Sequence, residues 1–95
     1  MIMQKENYIL TLYIAGQNQK AARAIENINK YGDELFRHGY ALEVVDLKEH
    51  PEMASYEQII AVPTLIRKLP APVRILVGDL SDKEKVLVGL NIKPA

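Results

Sequence analysis

The sequence contains no cysteine and no tryptophan, and it has only two histidines, His38 and His50. The lack of cysteine excludes disulfides, thiolate metal ligands, and thiols that act as nucleophiles or redox centres. Zinc sites commonly combine cysteine with histidine, and two histidines are too few for an all-histidine cluster. The sequence therefore predicts no metal site, no cofactor and no thiol chemistry.

An excess of charge of either sign is also absent, because twelve lysines and arginines balance twelve aspartates and glutamates. Proteins that bind nucleic acids normally carry a basic excess or stripe, so this neutrality argues against a nucleic acid partner. No apolar run approaches the roughly 20 residues of a membrane span, and the first residues lack the apolar core of a signal peptide. We expect one domain over residues 1–95, located in the cytoplasm, with no membrane partner.

The first half of the chain has the pattern of a strand, a helix and a second strand. Residues 8–15 are apolar on both alternating faces, which is typical of a central strand. A helix is predicted from Asn18, a suitable N-cap, to about Arg37, with Gly39 as its stop. Tyr40–Asp46 alternates as a second strand, and a single intervening helix favours a parallel crossover between the two strands.

The second half is organised around residues 59–74, which hold three of the five prolines. Pro63 precedes a strand-like run, and the bond before it can be cis, since X–Pro bonds favour trans by only about 0.5–1 kcal/mol. Pro70 and Pro72 predict a tight connection into a further strand over residues 73–77. We therefore expect a hairpin in this stretch.

Two helices are predicted on either side of this hairpin. Pro51 lies where a short helix could begin. Ser81 and Glu84 match a capping box, with serine at the cap and glutamate three residues later, so a C-terminal helix is expected to start there. The resulting order is β-α-β-α-β-β-α.

This α/β order, with a proline entering the third strand, is the arrangement of the thioredoxin fold. In such folds the redox pair follows the first strand, where this chain has Gly16-Gln17-Asn18-Gln19. No side chain there can replace thiolate exchange. The sequence thus predicts a thioredoxin-like frame that is not an oxidoreductase.

The remaining candidates do not form a catalytic constellation. His38 follows a helix end, where a capping role is favoured over acid–base chemistry, and His50 lies in a polar loop. Asp46 and Asp79 are isolated carboxylates at strand ends. Tyr8 could stack on a partner, although tyrosines in such strands more often lie at sheet edges and interfaces. We therefore predict no catalytic residue and no enzymatic activity.

Four segments, which together span about residues 8–90, resemble the KaiB family. The segment from Leu69 to Leu90 is the most specific, because the SasA sensor domain shares A-x-P-[TA]-L but not G-D-L-S-x-x-E-K-V-L. The segments are Y-I-L-T-L-Y-I-A-G (8–16), Y-A-L-E-V-V-D (40–46), I-A-V-P-T-L (60–65) and L-P-A-P-V-R-I-L-V-G-D-L-S-D-K-E-K-V-L-V-G-L (69–90).

The resemblance implies a binding protein that regulates clock or stress-related signalling and whose partner is a KaiC-like ATPase, with other clock or signalling proteins as further partners. It implies a partner surface that includes Tyr8, Arg23, Glu43, Gln58 and Arg74. Arg23 and Arg74 match the family, whereas clock KaiB proteins carry lysine at the positions of Glu43 and Gln58. A charge reversal at a rim position changes association rates and partner choice.

The family also implies two folds: a ground state that forms tetramers, and a thioredoxin-like monomer that binds KaiC. Val86–Leu90 follows a good helix cap, yet Gly89 costs about 0.8–1 kcal/mol relative to alanine inside a helix. Such a conflict between local signals lowers the difference in free energy between alternative packings. The other interpretation is that tertiary packing simply overrides a mixed helix propensity. The predicted fold-switch region comprises Pro63, Pro70, Ala71, Pro72, Gly89 and Asn91.

Two other functions stay open from the sequence. One is a thioredoxin-like structural or adaptor protein with a partner other than KaiC and no redox activity. The other is a relic of a thioredoxin-like enzyme that still acts on peptides or thiols. A homodimer or homotetramer is compatible with all of these functions.

Overall fold

The computed structural model describes residues 8–36 and 39–91, and within them the predicted order β-α-β-α-β-β-α is confirmed. The interpretations of Arg37 and His38 lie outside the described residues. No helix of the described part is both long and apolar enough to cross a membrane. The elements are β1 (Tyr8–Ile14), α1 (Gln19–Leu35), β2 (Tyr40–Asp46), α2 (Glu52–Tyr56), β3 (Thr64–Leu69), β4 (Arg74–Val77) and α3 (Lys83–Gly89).

The four strands form one mixed sheet in the order β2-β1-β3-β4. β1 pairs in parallel with β2 through the α1 crossover, and it pairs antiparallel with β3. β3 and β4 then form an antiparallel hairpin. β1 lies between β2 and β3, and its Leu10 and Leu12 are fully buried, so the prediction that β1 is a central strand is confirmed. β2 and β4 are the two edges.

The main core lies on the sheet face that α1 and α3 cover. β1 contributes every second side chain to this face, because alternate residues of a strand point to opposite sides. The other face of the sheet contains Tyr13, which is also fully buried. The buried residues of the main core are Leu10, Leu12, Ile14, Ala21, Ala24, Ile28, Tyr31, Leu35, Phe36, Leu65, Leu80, Val86 and Leu90.

α1 begins at the predicted cap. The Asn18 side-chain oxygen accepts a hydrogen bond from the Ala21 amide at 2.8 Å, which satisfies one of the free N–H groups of the first turn. The helix ends at Leu35, two residues before the predicted end, and Gly39 has a positive φ of 100°. Near its C-terminal end α1 packs closely against Tyr40 of β2. A Cβ atom added at Gly32 would lie only 2.5 Å from Cζ of Tyr40.

The proline-rich stretch forms the predicted hairpin. The peptide bonds before Pro63, Pro70 and Pro72 are all cis. Pro63 is buried at the entry to β3, and its carbonyl accepts a hydrogen bond from the Gly78 amide at 2.9 Å. This bond closes the end of the hairpin opposite the turn that contains Pro70 and Pro72.

The capping box predicted at Ser81 is wrong. α3 starts at Lys83, and its N-cap is Asp82, whose side chain accepts a hydrogen bond from the Lys85 amide at 3.2 Å. The Ser81 amide instead donates to the Asp79 carboxylate at 3.1 Å. Asp79 therefore holds Ser81 in its own turn, a local hydrogen bond that aspartate commonly makes, and the next residue becomes the cap.

Candidate partner-binding surface

The loop between β1 and α1 occupies the position where thioredoxin-like proteins carry their redox pair. A hollow of about 260 Å³ lies beside it, lined by Ala15, Asn18 and Lys20 on one side and by Val62 and Pro63 on the other. The Asn18 side chain is already engaged in capping α1. The hollow offers amide groups and an ammonium group, but no group that exchanges electrons.

Asp46 fixes this loop from the end of β2. Its Oδ1 accepts hydrogen bonds from the Gly16 amide at 2.8 Å and from the Lys48 amide at 2.9 Å. The Gly16 bond is the main reason that the pKa of the Asp46 carboxyl lies below its ordinary value. The isolated carboxylate noted in the sequence is thus a structural tie between β2 and the loop.

Arg23 lies on α1 at a corner that the loop after β4 also forms. Its Nη1 is 3.9 Å from Oδ2 of Asp79, and about half of its side chain is exposed. The hydroxyl and amide of Ser81, together with Arg23, hold the pKa of Asp79 below its ordinary value. A partner that approaches this corner contacts the Arg23 guanidinium group, which the nearby Asp79 carboxylate orients.

Glu43 and Gln58 lie towards the opposite face of the sheet. Glu43 is exposed on the edge strand β2, across from Thr11, and lines a hollow of about 270 Å³ together with Tyr13 and Lys68. Gln58 follows α2, is exposed and has a φ of 58°. Glu43 thus lines a hollow that includes Lys68, and Gln58 directly follows Glu57, whose carboxylate pairs with Lys68.

Lys68 forms the polar centre of that region. Its Nζ is 3.1 Å from Oε1 of Glu57. Burial would lower the pKa of the Lys68 ammonium, but the hydrogen bond to Glu57 and the interaction with Tyr13 outweigh it, so the pKa is raised. Burial also raises the pKa of the Tyr13 phenol. At neutral pH the region holds a paired cation beside a protonated tyrosine.

Tyr8 and Arg74 occupy two further places. The Tyr8 ring is half-buried, with its centroid 4.8 Å from that of Phe36, so much of the ring packs inside the protein. Arg74 is exposed at the start of β4, the edge of the sheet opposite to β2. The five predicted partner-binding residues are therefore spread over both faces and both edges, and only Glu43 and Gln58 share a region.

Comparison with known protein families shows which family this chain belongs to. The family model described as KaiB domain matches residues 11–92. The chain belongs to the KaiB family. The resemblance noted in the sequence is thereby confirmed over nearly the whole described chain.

Two relatives illustrate how similar the chain is to other KaiB proteins. The circadian clock oscillator protein KaiB of Cyanothece sp. is 44% identical over 88 residues, which cover 93% of this chain and 84% of the relative. The protein of the same name from Microcystis aeruginosa is 44% identical over 92 residues, which cover 97% of this chain and 88% of the relative. The chain thus spans most of both relatives.

Similar solved structures establish the fold as thioredoxin-like. The N-terminal domain of SasA from Synechococcus elongatus superposes with a TM-score of 0.66 at 19% identity, covering 93% of this chain and 85% of that domain. Plasmodium falciparum thioredoxin gives a TM-score of 0.64 at 17% identity, covering 92% of this chain and 74% of the thioredoxin. The thioredoxin-like fold predicted from the sequence is therefore confirmed for this KaiB-family chain.

The residues predicted to form the fold-switch region all lie in or next to β3, β4 and α3. Pro63 precedes β3, and Pro70, Ala71 and Pro72 form the turn between β3 and β4. Gly89 ends α3 against β4, where an added Cβ atom would lie 2.7 Å from Cδ1 of Leu76. Asn91, with a φ of 54°, follows α3 in the left-handed conformation that asparagine tolerates.

Arg67 is an important residue that the sequence did not reveal. It is only 3% exposed, its Nη1 donates to the Leu90 carbonyl at 2.6 Å, and its Nη2 donates to the Pro72 carbonyl at 2.9 Å. One guanidinium group thus joins the end of α3 to the β3–β4 turn. A basic residue in a strand ordinarily points to solvent, so the local sequence carries no signal for this role.

Proposed function

We propose that this chain is a non-enzymatic, cytoplasmic regulator of clock or stress-related signalling that binds a KaiC-like ATPase. The observation that carries the proposal is membership of the KaiB family over residues 11–92, with relatives named as circadian clock oscillator proteins. The thioredoxin-like position without a thiol supports a role in binding rather than in redox chemistry.

The Arg23 corner is the first part of the proposed binding surface. Arg23 matches the family, is half exposed, and is held near Asp79 without being enclosed by it. Exposed ion pairs contribute little to stability, typically up to about 1 kcal/mol, so the guanidinium group is free to exchange partners at small cost to the fold. Such a group suits recognition of a carboxylate on an ATPase surface.

The region around Glu43 and Gln58 is the second part. In clock KaiB proteins, lysines at these two positions would add positive charge near Lys68 and next to its partner Glu57. This chain has a negative charge and a neutral amide there, which weakens attraction to an acidic partner surface. The proposal therefore includes a partner whose surface differs in charge from that of a clock KaiC.

Binding to a KaiC-like ATPase, loaded in turn with ATP and ADP, tests the proposal. We expect Arg23→Ala to weaken binding about tenfold, equivalent to about 1.4 kcal/mol. Lys30→Ala is the matched control, because Lys30 is an exposed cation two turns further along α1. Absence of binding in every nucleotide state, or an equal effect of both substitutions, would count against the proposal.

Restoring the family charges tests the second part. Glu43→Lys with Gln58→Lys should strengthen binding to a clock KaiC, mainly through faster association, and the gain should shrink as ionic strength rises. Glu49→Lys, an exposed charge reversal in the loop after β2, makes the same change in net charge as the single variant Glu43→Lys and is compared with it. Equal gains from both changes would mean that the Glu43 region is not the contact.

Fold switching is part of the same proposal. The described chain is in the thioredoxin-like state, and the second state would be a homodimer or homotetramer in which the segment around β3, β4 and α3 has other secondary structure. The position of Pro63, Pro70, Ala71, Pro72, Gly89 and Asn91 in and around these elements supports this. Solution mass measured together with the circular dichroism spectrum distinguishes the states, since only a switch changes both.

A structural or adaptor protein with another partner is the alternative function. The observation that favours it is the exposed Glu43, a charge opposite to that of the clock proteins at the same position. Affinity capture with the wild type and with Glu43→Lys separates the two functions. A partner other than an ATPase that is captured by the wild type and lost with Glu43→Lys would support the adaptor.

A further inference from the structure

The guanidinium group of Arg67 binds backbone carbonyls that belong to two different elements. Its Nη1 donates to the Leu90 carbonyl at 2.6 Å, at the end of α3, and its Nη2 donates to the Pro72 carbonyl at 2.9 Å, in the turn between β3 and β4. Nη1 also lies 3.5 Å from the Asn91 carbonyl. A single side chain thus bridges α3 and the turn.

Burial makes the two bonds of this bridge depend on each other. Arg67 is only 3% exposed, and its Nε–H has no acceptor among residues 8–36 and 39–91. A buried cation that loses one of its few acceptors is strongly unfavourable, so it moves out to water. When the end of α3 separates from Arg67, the guanidinium group is therefore expected to leave the Pro72 carbonyl as well.

The C-terminal end of α3 has few other contacts that hold it. The helix has seven residues, too few to be stable in isolation, and Val86 is the buried residue among them. Leu90 is buried directly after the helix, and Gly89 packs against Leu76 in the middle of β4. Segments with little buried apolar surface open locally at low free energy. The bond from Arg67 is thus a large part of what closes this end.

We propose that Arg67 couples the opening of α3 to the opening of the β3–β4 turn, so that the two segments open together as one unit. The forked shape of the guanidinium group makes this possible, because its two terminal nitrogens donate to separate acceptors at the same time. The coupling is a property of the thioredoxin-like state. It rests neither on binding to an ATPase nor on a second fold.

Two backbone amides report the two openings. The Leu90 amide donates to the Val86 carbonyl at 3.0 Å, so its hydrogen exchange requires the end of α3 to open. The Gly78 amide bonds to the Pro63 carbonyl, and inward amides alternate along an antiparallel strand, so the Arg74 amide faces β3 beside the turn. Its exchange requires this end of the hairpin to open. NMR measures the exchange rates of both amides.

Lys85→Gly tests the coupling, because Lys85 is exposed on α3 and glycine there favours opening of the helix about threefold. In this variant the Leu90 and Arg74 amides should both exchange about threefold faster. With Arg67→Met also present, the glycine should still speed exchange at Leu90 but no longer at Arg74. An Arg74 amide that ignores Lys85→Gly while Arg67 is intact would overturn the proposal. An equal response with and without Arg67 would also overturn it, since another contact would then carry the coupling.

Two further variants show which property of Arg67 matters. Arg67→Lys retains the positive charge, but its ammonium nitrogen takes the place of the guanidinium carbon, one bond short of the two terminal nitrogens. It should uncouple the two amides as Arg67→Met does, and coupling that survives would refute the role of the fork. Lys68→Met is the matched control, because Lys68 is the next cation on β3 and pairs with Glu57 instead. Loss of coupling in Lys68→Met would mean that any weakening of β3 uncouples the segments, which would equally refute the assignment to Arg67.

Discussion

Arg67 is a cation that enters the protein interior without a carboxylate partner at hydrogen-bonding distance among the described residues. Its partners are backbone carbonyls, and the stronger of them belongs to Leu90 beyond the last turn of α3. The C-terminal end of a helix carries partial negative charge, which favours a cation there. The Tyr8 ring adds to this environment, with its centroid 5.9 Å from the guanidinium carbon. Arg67 thereby holds together segments that are separate in sequence.

Replacement of Arg67 by methionine should lower the free energy of unfolding by about 1–3 kcal/mol, because the buried Leu90 carbonyl loses its donor. Urea unfolding measures the change. The control is Arg74→Met, since Arg74 is the exposed cross-strand neighbour of Arg67 and should shift stability by no more than about 0.5 kcal/mol. Similar losses in the two variants would show that the carbonyl contacts contribute nothing of their own.

Residue-level prediction from sequence succeeded where the signal is local and failed where it is not. Asn18 was identified as a cap because its hydrogen bond to Ala21 spans three residues. Arg67 bonds to Leu90, 23 residues away, and no pattern around Arg67 reports that contact. Ser81 was assigned wrongly for a related reason, since the competing carboxylate of Asp79 lies outside the four-residue motif used to predict the cap.

At the level of elements, the packing of α1 against β2 depends on the absence of a side chain at Gly32. The Tyr40 ring lies over this glycine and also contacts Phe36, with ring centroids 5.1 Å apart. Glycine in a helix is ordinarily unfavourable by about 0.8–1.0 kcal/mol relative to alanine. The close approach of the tyrosine ring explains why the helix contains it.

Gly32→Ala should therefore destabilise the protein, although it improves helix propensity. Overpacking of a filled site costs about 1–3 kcal/mol, which exceeds the gain of about 1 kcal/mol from propensity. Thermal unfolding of Gly32→Ala, Tyr40→Phe and the double variant forms a double-mutant cycle. A stabilised single variant would mean that the ring moves aside freely, and a purely additive double variant would exclude the Tyr40 hydroxyl as the obstacle.

Element boundaries were predictable to different degrees. β2 has the predicted bounds, because its alternation is bordered by a glycine and a polar loop. α1 ends two residues early, since Phe36 turns into the core instead of continuing the helix.

The candidate surface was less predictable than the element boundaries. Family resemblance proposes its residues, but their separation onto different faces and edges depends on the strand order, which no local pattern encodes.

At the level of the whole molecule, two carboxylates couple its stability to pH. Asp46 and Asp79 each have a lowered pKa, and each accepts hydrogen bonds from backbone amides. A carboxyl with a lower pKa in the folded than in the unfolded state stabilises the fold above its ordinary pKa. That stabilisation is lost as the pH falls through the folded pKa.

The free energy of unfolding should thus be level near neutral pH and fall from about pH 5 downwards. Asp46→Asn with Asp79→Asn should lower stability at pH 7 and flatten the acid slope, because asparagine does not titrate. Urea unfolding between pH 3 and pH 7 measures both effects. Asp33→Asn, on the exposed side of α1, serves as the control, and a slope unchanged in the double variant would contradict the assignment.

The ladder between β1 and β3 has a consequence for the order of folding. It joins residues more than fifty positions apart, whereas the β3–β4 hairpin is closed by a short turn. The entropy cost of closing a chain rises with the length of the loop, and long-range pairings slow folding. The two halves of the chain can therefore form their own elements before they meet. Until the β1–β3 ladder forms, no strand pairing among the described residues joins the second half of the chain to the first.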